Sequence, residues 1–108
     1  MYDVHLTNTA LQCLSDIESF KAITLGPPGA ARFVDAIFAE TLEHLRVDPL
    51  RCRYNAQLAE FGLAVRERLD RHDYRTLYEV TENRVDILLI LHTRQDIGAA
   101  LWRHMLLN

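Results

Sequence analysis

The chain has 108 residues, of which 49% are hydrophobic and 25% are charged, and its formal net charge is −3. This composition predicts a single packed domain over residues 1–108 rather than a disordered segment. No apolar run approaches the roughly 20 residues that span a bilayer, and no basic, apolar export signal follows Met1, so we expect a cytoplasmic protein with no membrane partner.

The charge is distributed unevenly along the chain. The first 45 residues carry two basic and six acidic side chains, whereas residues 46–108 carry ten arginines and nine acids. A dedicated nucleic-acid binder usually has a strong basic stripe, which this chain lacks overall. Arginine suits bidentate contacts to carboxylate or phosphate, but an ordinary solvated surface explains these arginines equally well.

In the N-terminal half, the pattern predicts one strand and two helices. Thr9 and Gln12 match the two ends of a capping box, which predicts a helix start at this point. The segment Leu25–Gly29 contains two glycines and two prolines and breaks the helical pattern. Because two helices with a short connection fold back on each other, we expect an antiparallel hairpin. The predicted elements are a strand over residues 2–7, a helix ending near Phe20 or Ala22, and a helix over about 29–47 that Asp48-Pro49 ends.

In the C-terminal half, the pattern predicts three strands and a helix. Ile87–Leu91 is apolar at every position, so this strand should be covered on both faces and lie centrally in the sheet. Glu82-Asn83 is expected to form a tight turn, since asparagine is able to take positive φ, and Asp96 is expected to cap the last helix. The predicted elements are a turn of helix around Asn55–Ala59, strands Val65–Leu69, Tyr74–Thr81 and Val85–His92, and a helix Ile97–Leu107 packed through Leu101, Trp102 and Met105.

The predicted fold is therefore a two-layer α+β domain of order β-α-α-β-β-β-α. An N-terminal strand and a helical hairpin pack on a mostly antiparallel β-sheet. The histidines are scattered, and Cys13 and Cys52 lack zinc-site spacing, so we expect no metal and no cofactor. The two thiols are expected to act as small apolar side chains.

Three motifs resemble those of the RelE/ParE superfamily. A glycine before a strand, Gly62-Leu63-Ala64-Val65-Arg66, is followed by Y-R-x-L-Y over Tyr74–Tyr78 and by H-x-R-x-D at the end of the last strand. The resemblance is strongest from Gly62 to Arg94, and in the helices only the apolar pattern matches. It implies the toxin of a type II toxin–antitoxin module, with the same element order.

The resemblance also implies a cognate antitoxin protein as partner. The antitoxin would lay a helix, and often an added strand, over the helices and sheet edge of the toxin. Val34, Phe38 and Leu42, on the apolar stripe of the second helix, are the candidate antitoxin-binding residues. Most of that stripe is expected to be core.

The two branches of the superfamily imply different targets. The ParE branch, which commonly ends its last strand with H-x-R-x-D, implies inhibition of DNA gyrase by binding alone, and we prefer it. In that case His92, Arg94, Trp102 and Arg103 are the candidate target-binding residues, because tryptophan and arginine are enriched at binding hot spots.

The RelE branch implies ribosome-dependent cleavage of mRNA. Its relatives are basic and use lysines, whereas the single lysine here, Lys21, is predicted on the first helix, away from the sheet. A ribonuclease would have to use other groups, for which the candidates are Arg68, Arg75, Tyr78, His92, Arg94 and His104. Structural alternatives are a strand-end His92 bonded to backbone or Asp96, and an Arg75 paired with Glu67 or Glu79. A relative that binds an antitoxin without being toxic is the third interpretation.

Overall fold

A computed structural model describes residues 1–107, with side chains through Arg103. The side chains of His104 and Met105, which entered the sequence-based expectations, lie outside the described part. The elements are β1 (Asp3–Leu6), α1 (Asn8–Val47), a 3-10 turn (Pro49–Arg51), α2 (Ala56–Ala59), β2 (Arg66–Leu69), β3 (Tyr74–Thr81), β4 (Arg84–His92) and α3 (Ile97–Leu107).

Helix α1 consists of two helical segments that meet at Gly26. This glycine has φ 73° and ψ 163°, a backbone conformation that residues with a side chain rarely adopt. Two prolines follow it, at the start of the second segment, where a missing N–H removes no helical hydrogen bond. The first segment runs to Leu25, beyond the predicted end at Phe20 or Ala22, because only the glycine interrupts it.

The N-terminal cap of α1 is Thr7. Its hydroxyl oxygen accepts a hydrogen bond from the backbone N–H of Ala10 at 3.1 Å and donates one to the carbonyl of Ile87 at 2.8 Å. The prediction of a cap at Thr9 is therefore wrong. Thr7 caps the helix instead, because its hydroxyl also bonds to β4 and so attaches the start of the helix to the sheet.

The four strands form one mixed sheet in the order β1-β4-β3-β2. β1 runs parallel to β4, and the other two pairs are antiparallel, so residues 62–96 contain the expected meander. The central place predicted for β4 is confirmed. The register shifts between Leu77, opposite Leu89, and Tyr78, opposite Ile87. Leu88 thus has no partner in β3, which is the geometry of a bulge.

Two predictions concern local backbone geometry. The predicted tight turn at Glu82-Asn83 is confirmed, but the residue with positive φ is Glu82 (φ 55°) rather than Asn83. The predicted cap of α3 is confirmed, because the Asp96 carboxylate accepts from the backbone N–H of Gly98 at 2.8 Å.

One core joins the helices to the sheet. Ala10 and Ile17 come from the first segment of α1 and Ile37 and Leu45 from the second, and all four belong to a single buried cluster with the central strands. The two segments also touch each other, because the ammonium group of Lys21 lies 4.8 Å from the ring centre of Phe33. The predicted α+β fold with a helical hairpin on the sheet is confirmed. Over residues 1–107, no helix is both long and apolar enough to cross a membrane.

Candidate functional site: a cationic cleft at the end of the sheet

A cleft of about 600 Å³ opens where β3 and β4 meet the first segment of α1. Its floor is apolar and includes Ile90 and Leu91 of the central strand. We call it the strand-end cleft, because it lies where β4 ends and β3 begins. Its polar and aromatic wall residues come from the helix, the sheet and the chain after β4: Asp16, Phe20, Lys21, Tyr74, His92, Arg94, Gln95 and Arg103.

The loop after β4 is held by hydrogen bonds on both sides. Gln95 accepts the backbone N–H of His92 through its side chain at 2.8 Å and donates its own backbone N–H to the His92 carbonyl at 2.9 Å. The N–H of Thr93 donates to the carbonyl of Asp73 in the preceding turn at 2.8 Å. These bonds fix the direction in which the next residue, Arg94, leaves the strand.

The ring of His92 is fixed in the same loop. The backbone N–H of Arg94 donates to Nδ1 of His92 at 3.1 Å, so the neutral imidazole carries its proton on Nε2. The predicted bond between His92 and the backbone is therefore present, and it leaves Nε2 open to a ligand. The edge of the Tyr74 ring also meets the imidazole, with ring centres 5.3 Å apart. A positioned Nε2–H is a hydrogen-bond donor suited to an anion.

Aromatic contacts extend from this ring into the helical hairpin. Phe33, on the second segment of α1, meets the Tyr74 ring at 6.0 Å and the His72 ring at 5.5 Å. The ammonium group of Lys21 lies 4.8 Å from the ring centre of Phe33 and 5.9 Å from that of Phe20. A cation above an aromatic face is attracted by the ring quadrupole, so Lys21 is held near the cleft.

The prediction that Lys21 lies away from the sheet is wrong, because it lines the cleft together with His92. Lys21 is spaced four residues from Ile17 and eight from Cys13, both buried on the sheet side of α1. Helical spacing alone would have placed it on that face. Phe20 and Gln95 were also missed, and Gln95 carries no sequence signal because its role depends on the shape of the loop.

The cleft carries an excess of positive charge. Lys21, Arg94 and Arg103 face one carboxylate, Asp16, which accepts a hydrogen bond from Gln12 at 2.9 Å. Within the described side chains, none of the three cations forms an ion pair. Unpaired cations around an apolar floor are suited to binding an anion.

Cys13 lies in the floor of the cleft and is 3% exposed. Burial raises the pKa of its thiol. The thiol is therefore protonated near neutral pH and is not an activated nucleophile. Its packing among Ile17 and Ile90 agrees with the expected role of a small apolar side chain.

Two predicted arginines lie outside the cleft. Arg75 donates to the Glu67 carboxylate and to the Thr93 carbonyl, both at 3.0 Å, which confirms the structural alternative with Glu67 as its partner. Arg68 donates to the Thr41 hydroxyl at 3.1 Å and lines a separate groove between the second segment of α1 and the end of β2. Both guanidinium groups therefore hold protein groups together.

Tyr78 is also separate from the cleft. It is fully buried, and its hydroxyl donates to the carbonyl of Pro49 at 2.6 Å. Burial, together with the neighbouring Cys52, raises its pKa far above the ordinary value for tyrosine. The hydroxyl is therefore placed to stabilise the chain after α1 rather than to meet a substrate.

Of the two candidate target-binding residues on α3, Arg103 lines the cleft, whereas Trp102 does not line it and is exposed on the surface. Trp102 is 64% exposed, so the expectation that it packs in the core is wrong. Among the side chains of this helix that the structure describes, Ile97 and Ala100 are buried, and Leu101 is half-buried against the core. The helix thus presents its tryptophan to solvent.

The candidate antitoxin-binding residues belong to the second segment of α1. Val34 is buried, whereas Phe38 and Leu42 are half-buried. The most exposed apolar side chains of the hairpin are instead at its tip, where Ile23 is 82% and Phe20 is 67% exposed. These tip residues lie outside the periodic stripe, so a search for helical periodicity overlooks them.

A helical hairpin on a four-stranded mixed sheet is the α+β fold of the RelE/ParE superfamily. The sequence matches the family model of the ParE toxin of type II toxin–antitoxin systems over residues 4–97, and the chain belongs to this family. No curated protein matches the sequence.

Two solved toxin–antitoxin systems contain similar chains. A chain of the chromosomal ParDE system from P. aeruginosa superposes with a TM-score of 0.68 at 20% identity, covering 85% of this chain and 96% of that one. A chain of the RelBE2 toxin–antitoxin complex from Mycobacterium tuberculosis superposes with a TM-score of 0.60 at 25% identity, covering 84% and 96%. The fold is thus shared by systems of both names.

Proposed function

We propose that the chain is a toxin which a cognate antitoxin neutralises, and that it arrests growth by binding and inhibiting DNA gyrase. Membership of the ParE toxin family supports the first part. The similar chains in the ParDE and RelBE2 systems support an antitoxin as partner. The second part rests on the arrangement of the polar side chains.

The observation that carries the proposal is the separation of the candidate catalytic residues. RNA cleavage needs a base, an acid and phosphate-binding groups around one scissile phosphate. Of the candidates whose side chains the structure describes, only His92 and Arg94 line the strand-end cleft. Arg68 and Arg75 bond to protein groups elsewhere, and Tyr78 is buried. An inhibitor that acts by binding has no such requirement and needs only an exposed, shaped surface.

The surface proposed to bind gyrase combines the cleft with α3. His92, Arg94 and Arg103 line the cleft, and Trp102, the chain neighbour of Arg103 on α3, is exposed. Exposed tryptophan and arginine side chains are typical of binding hot spots. The antitoxin is proposed to cover the hairpin, where Phe38 and Leu42 are half-buried and the tip is apolar and exposed.

The test is inhibition of supercoiling by purified gyrase acting on relaxed plasmid. We expect the wild-type chain to inhibit and Trp102→Ala to weaken inhibition by about 30-fold, the effect of losing a hot spot worth about 2 kcal/mol. Arg51→Ala, an exposed arginine away from the cleft, is the matched surface control and should inhibit like wild type. Full supercoiling in the presence of folded wild-type chain would overturn the gyrase target.

Ribosome-dependent mRNA cleavage is the second candidate function, and one observation favours it. Lys21, Arg94 and Arg103 surround His92 and could clamp the RNA phosphates next to an imidazole. The discriminating experiment follows the first event after induction in cells. Translation arrest with cut transcripts, abolished by His92→Ala in a folded protein, would establish cleavage. DNA damage signalling with blocked replication would establish gyrase inhibition.

A further inference from the structure

We propose that Phe33, which does not itself line the strand-end cleft, positions two of the groups that do, Lys21 and His92. The inference deepens the proposed function and rests on it, because both groups line the cleft that is proposed to bind gyrase. Phe33 lies on the second segment of α1 and is half-buried against the core. Its ring meets side chains from three other parts of the chain, and two of these side chains line the cleft.

The first contact is with Lys21, on the first segment of α1. Its ammonium group lies 4.8 Å from the ring centre of Phe33, within the roughly 6 Å over which a ring quadrupole attracts a cation. The ring of Phe20 is farther away, at 5.9 Å, and is 67% exposed. Among the described side chains, no carboxylate pairs with Lys21. Because a lysine stem is flexible, the ring of Phe33 is the main restraint on this ammonium group.

The second contact reaches His92 through Tyr74. The rings of Phe33 and Tyr74 meet edge to face with centres 6.0 Å apart, and the rings of Tyr74 and His92 do so at 5.3 Å. Their planes cross at 67° and 86°, a geometry that aromatic quadrupoles favour. Tyr74 is 3% exposed and so is enclosed by its neighbours. The Arg94 N–H bonds to one edge of the imidazole, and the Tyr74 ring restrains the tilt of the imidazole plane.

The third contact holds Phe33 itself in place. The His72 ring, in the turn between β2 and β3, meets the Phe33 ring edge to face with centres 5.5 Å apart. Nε2 of His72 lies 3.8 Å from the carboxylate of Glu40, on the same helical segment as Phe33. A ring that contacts two other rings and a cation has little freedom to tilt. Phe33 is therefore suited to restrain both cleft groups from behind the cleft wall.

A leucine at this position distinguishes positioning from simple packing. Phe33→Leu keeps an apolar side chain but removes the quadrupole that attracts the ammonium group and the ring that meets Tyr74. Phe33→Tyr keeps both features and is the conservative variant. Phe61→Leu makes the same change at a ring that is 74% exposed and does not line the cleft, so it is the matched control.

The experiment measures side-chain order by ¹³C NMR relaxation in the full chain. Lys21 is the single lysine of the sequence, so labelling with ¹³C-lysine gives one Cε signal. The second probe is Cε1 of the His92 imidazole. In Phe33→Leu both order parameters should fall, that of Lys21 to the flexible range below about 0.6. Phe33→Tyr should restore both, and Phe61→Leu should have the wild-type values.

The same variants are then compared in the supercoiling assay. About five-fold more Phe33→Leu protein should be needed for half-inhibition of gyrase, the factor that one aromatic contact is worth. Phe33→Tyr should recover most of this loss, and Phe61→Leu should inhibit like wild type. Urea denaturation of each variant gives its folded fraction, so that a loss of folded protein is not counted as a loss of binding.

Four results would each overturn the inference: unchanged order of Lys21 or of His92 in Phe33→Leu, an equal loss of order in Phe33→Tyr, an equal loss in Phe61→Leu, or inhibition by Phe33→Leu at the wild-type level. A wild-type chain that does not inhibit gyrase would overturn the proposed function alone. The order parameters would still decide whether Phe33 positions the two cleft groups, because they are measured without the target.

Discussion

The arginines of two neighbouring regions have opposite surroundings. On β2 and β3, Arg66, Arg68 and Arg75 each donate to a protein group, namely a backbone carbonyl, a threonine hydroxyl and a glutamate. At the end of β4, Arg94 and Arg103 line an open cleft and form no ion pair with described residues. The first group stabilises the fold through internal hydrogen bonds. The guanidinium groups of the second are available to bind a ligand.

The contrast shows that residue type and motif do not assign a role. Arg75 lies inside the most recognisable motif of the chain, Y-R-x-L-Y, and is nevertheless an internal partner of Glu67. Arg103 belongs to no motif and lines the cleft. What decides the role is whether the fold brings an acceptor within reach of the guanidinium group.

The largest loss of stability is expected from breaking the ion pair between Arg75 and Glu67. Arg75→Ala leaves the Glu67 carboxylate, whose side chain is 15% exposed, without its cation, although Asn55 still donates to it at 2.8 Å. Removing one partner of a buried pair costs about 3 kcal/mol. The free energy of unfolding, measured by urea denaturation, should fall by about this amount.

A double-mutant cycle controls this prediction. Glu67→Gln removes the charge but keeps a group that can bond to Asn55, and the combined variant should lose less than the sum of the two single variants. Strict additivity would show that Arg75 and Glu67 do not stabilise the fold as a pair. Arg51→Ala should change the unfolding free energy by less than about 0.5 kcal/mol.

A smaller loss is expected from Tyr78→Phe. The variant removes the hydroxyl that donates to Pro49 and leaves that buried carbonyl with one fewer donor. An unsatisfied buried acceptor costs about 1–2 kcal/mol. Urea denaturation should show this loss while inhibition of gyrase is unchanged. Loss of inhibition in a stably folded Tyr78→Phe protein would instead place the hydroxyl in the mechanism.

The sequence predicts the sheet well because strand signals are local. β3 begins at Tyr74 and ends at Thr81 as predicted, since aromatic and β-branched residues fill it. β4 is central because its apolar run needs cover on both faces. The helix break at Gly26 also follows from local chemistry, as only glycine adopts its backbone conformation without strain.

The site was less predictable because its geometry depends on contacts distant in sequence. The local sequence favours Thr9 as the cap because Gln12 completes a capping box, but Thr7 caps the helix and also bonds to Ile87, 80 residues away. Lys21 joins His92 in the cleft only because the hairpin packs over the end of β4. Helical spacing indicates the face on which Lys21 lies but not what that face covers.

The cleft arginines should contribute little to stability. Arg94→Ala removes an exposed side chain without an ion pair among the described residues, so the unfolding free energy should change by less than about 0.5 kcal/mol. Inhibition of gyrase should nevertheless weaken, because the guanidinium group faces the proposed target. A stability loss as large as that of Arg75→Ala would remove the distinction between the two regions.

The smallest effect on stability is expected from the exposed ion pair of Arg71 and Glu40. This pair joins the β2–β3 turn to α1. The hydrogen bond from Arg71 holds the pKa of the Glu40 carboxyl below its ordinary value of 4.5. A carboxyl with a lowered pKa stabilises the fold above its ordinary pKa and loses that contribution as the pH falls through its lowered value. The unfolding free energy of Glu40→Gln should therefore decline less steeply below pH 4.5 than that of the wild type.

High salt should bring the two pH profiles together, because exposed pairs are screened. Arg71→Ala is the matched variant and should reproduce the shallower decline, since it removes the cation that lowers the pKa of Glu40. Parallel curves for wild type and Glu40→Gln at low salt would show that this arginine, unlike Arg75, does not stabilise the framework. In that case the contribution of an arginine to stability would depend on whether its ion pair is buried, as for Arg75, or exposed, as for Arg71. It would not depend on the region of the molecule in which the arginine lies.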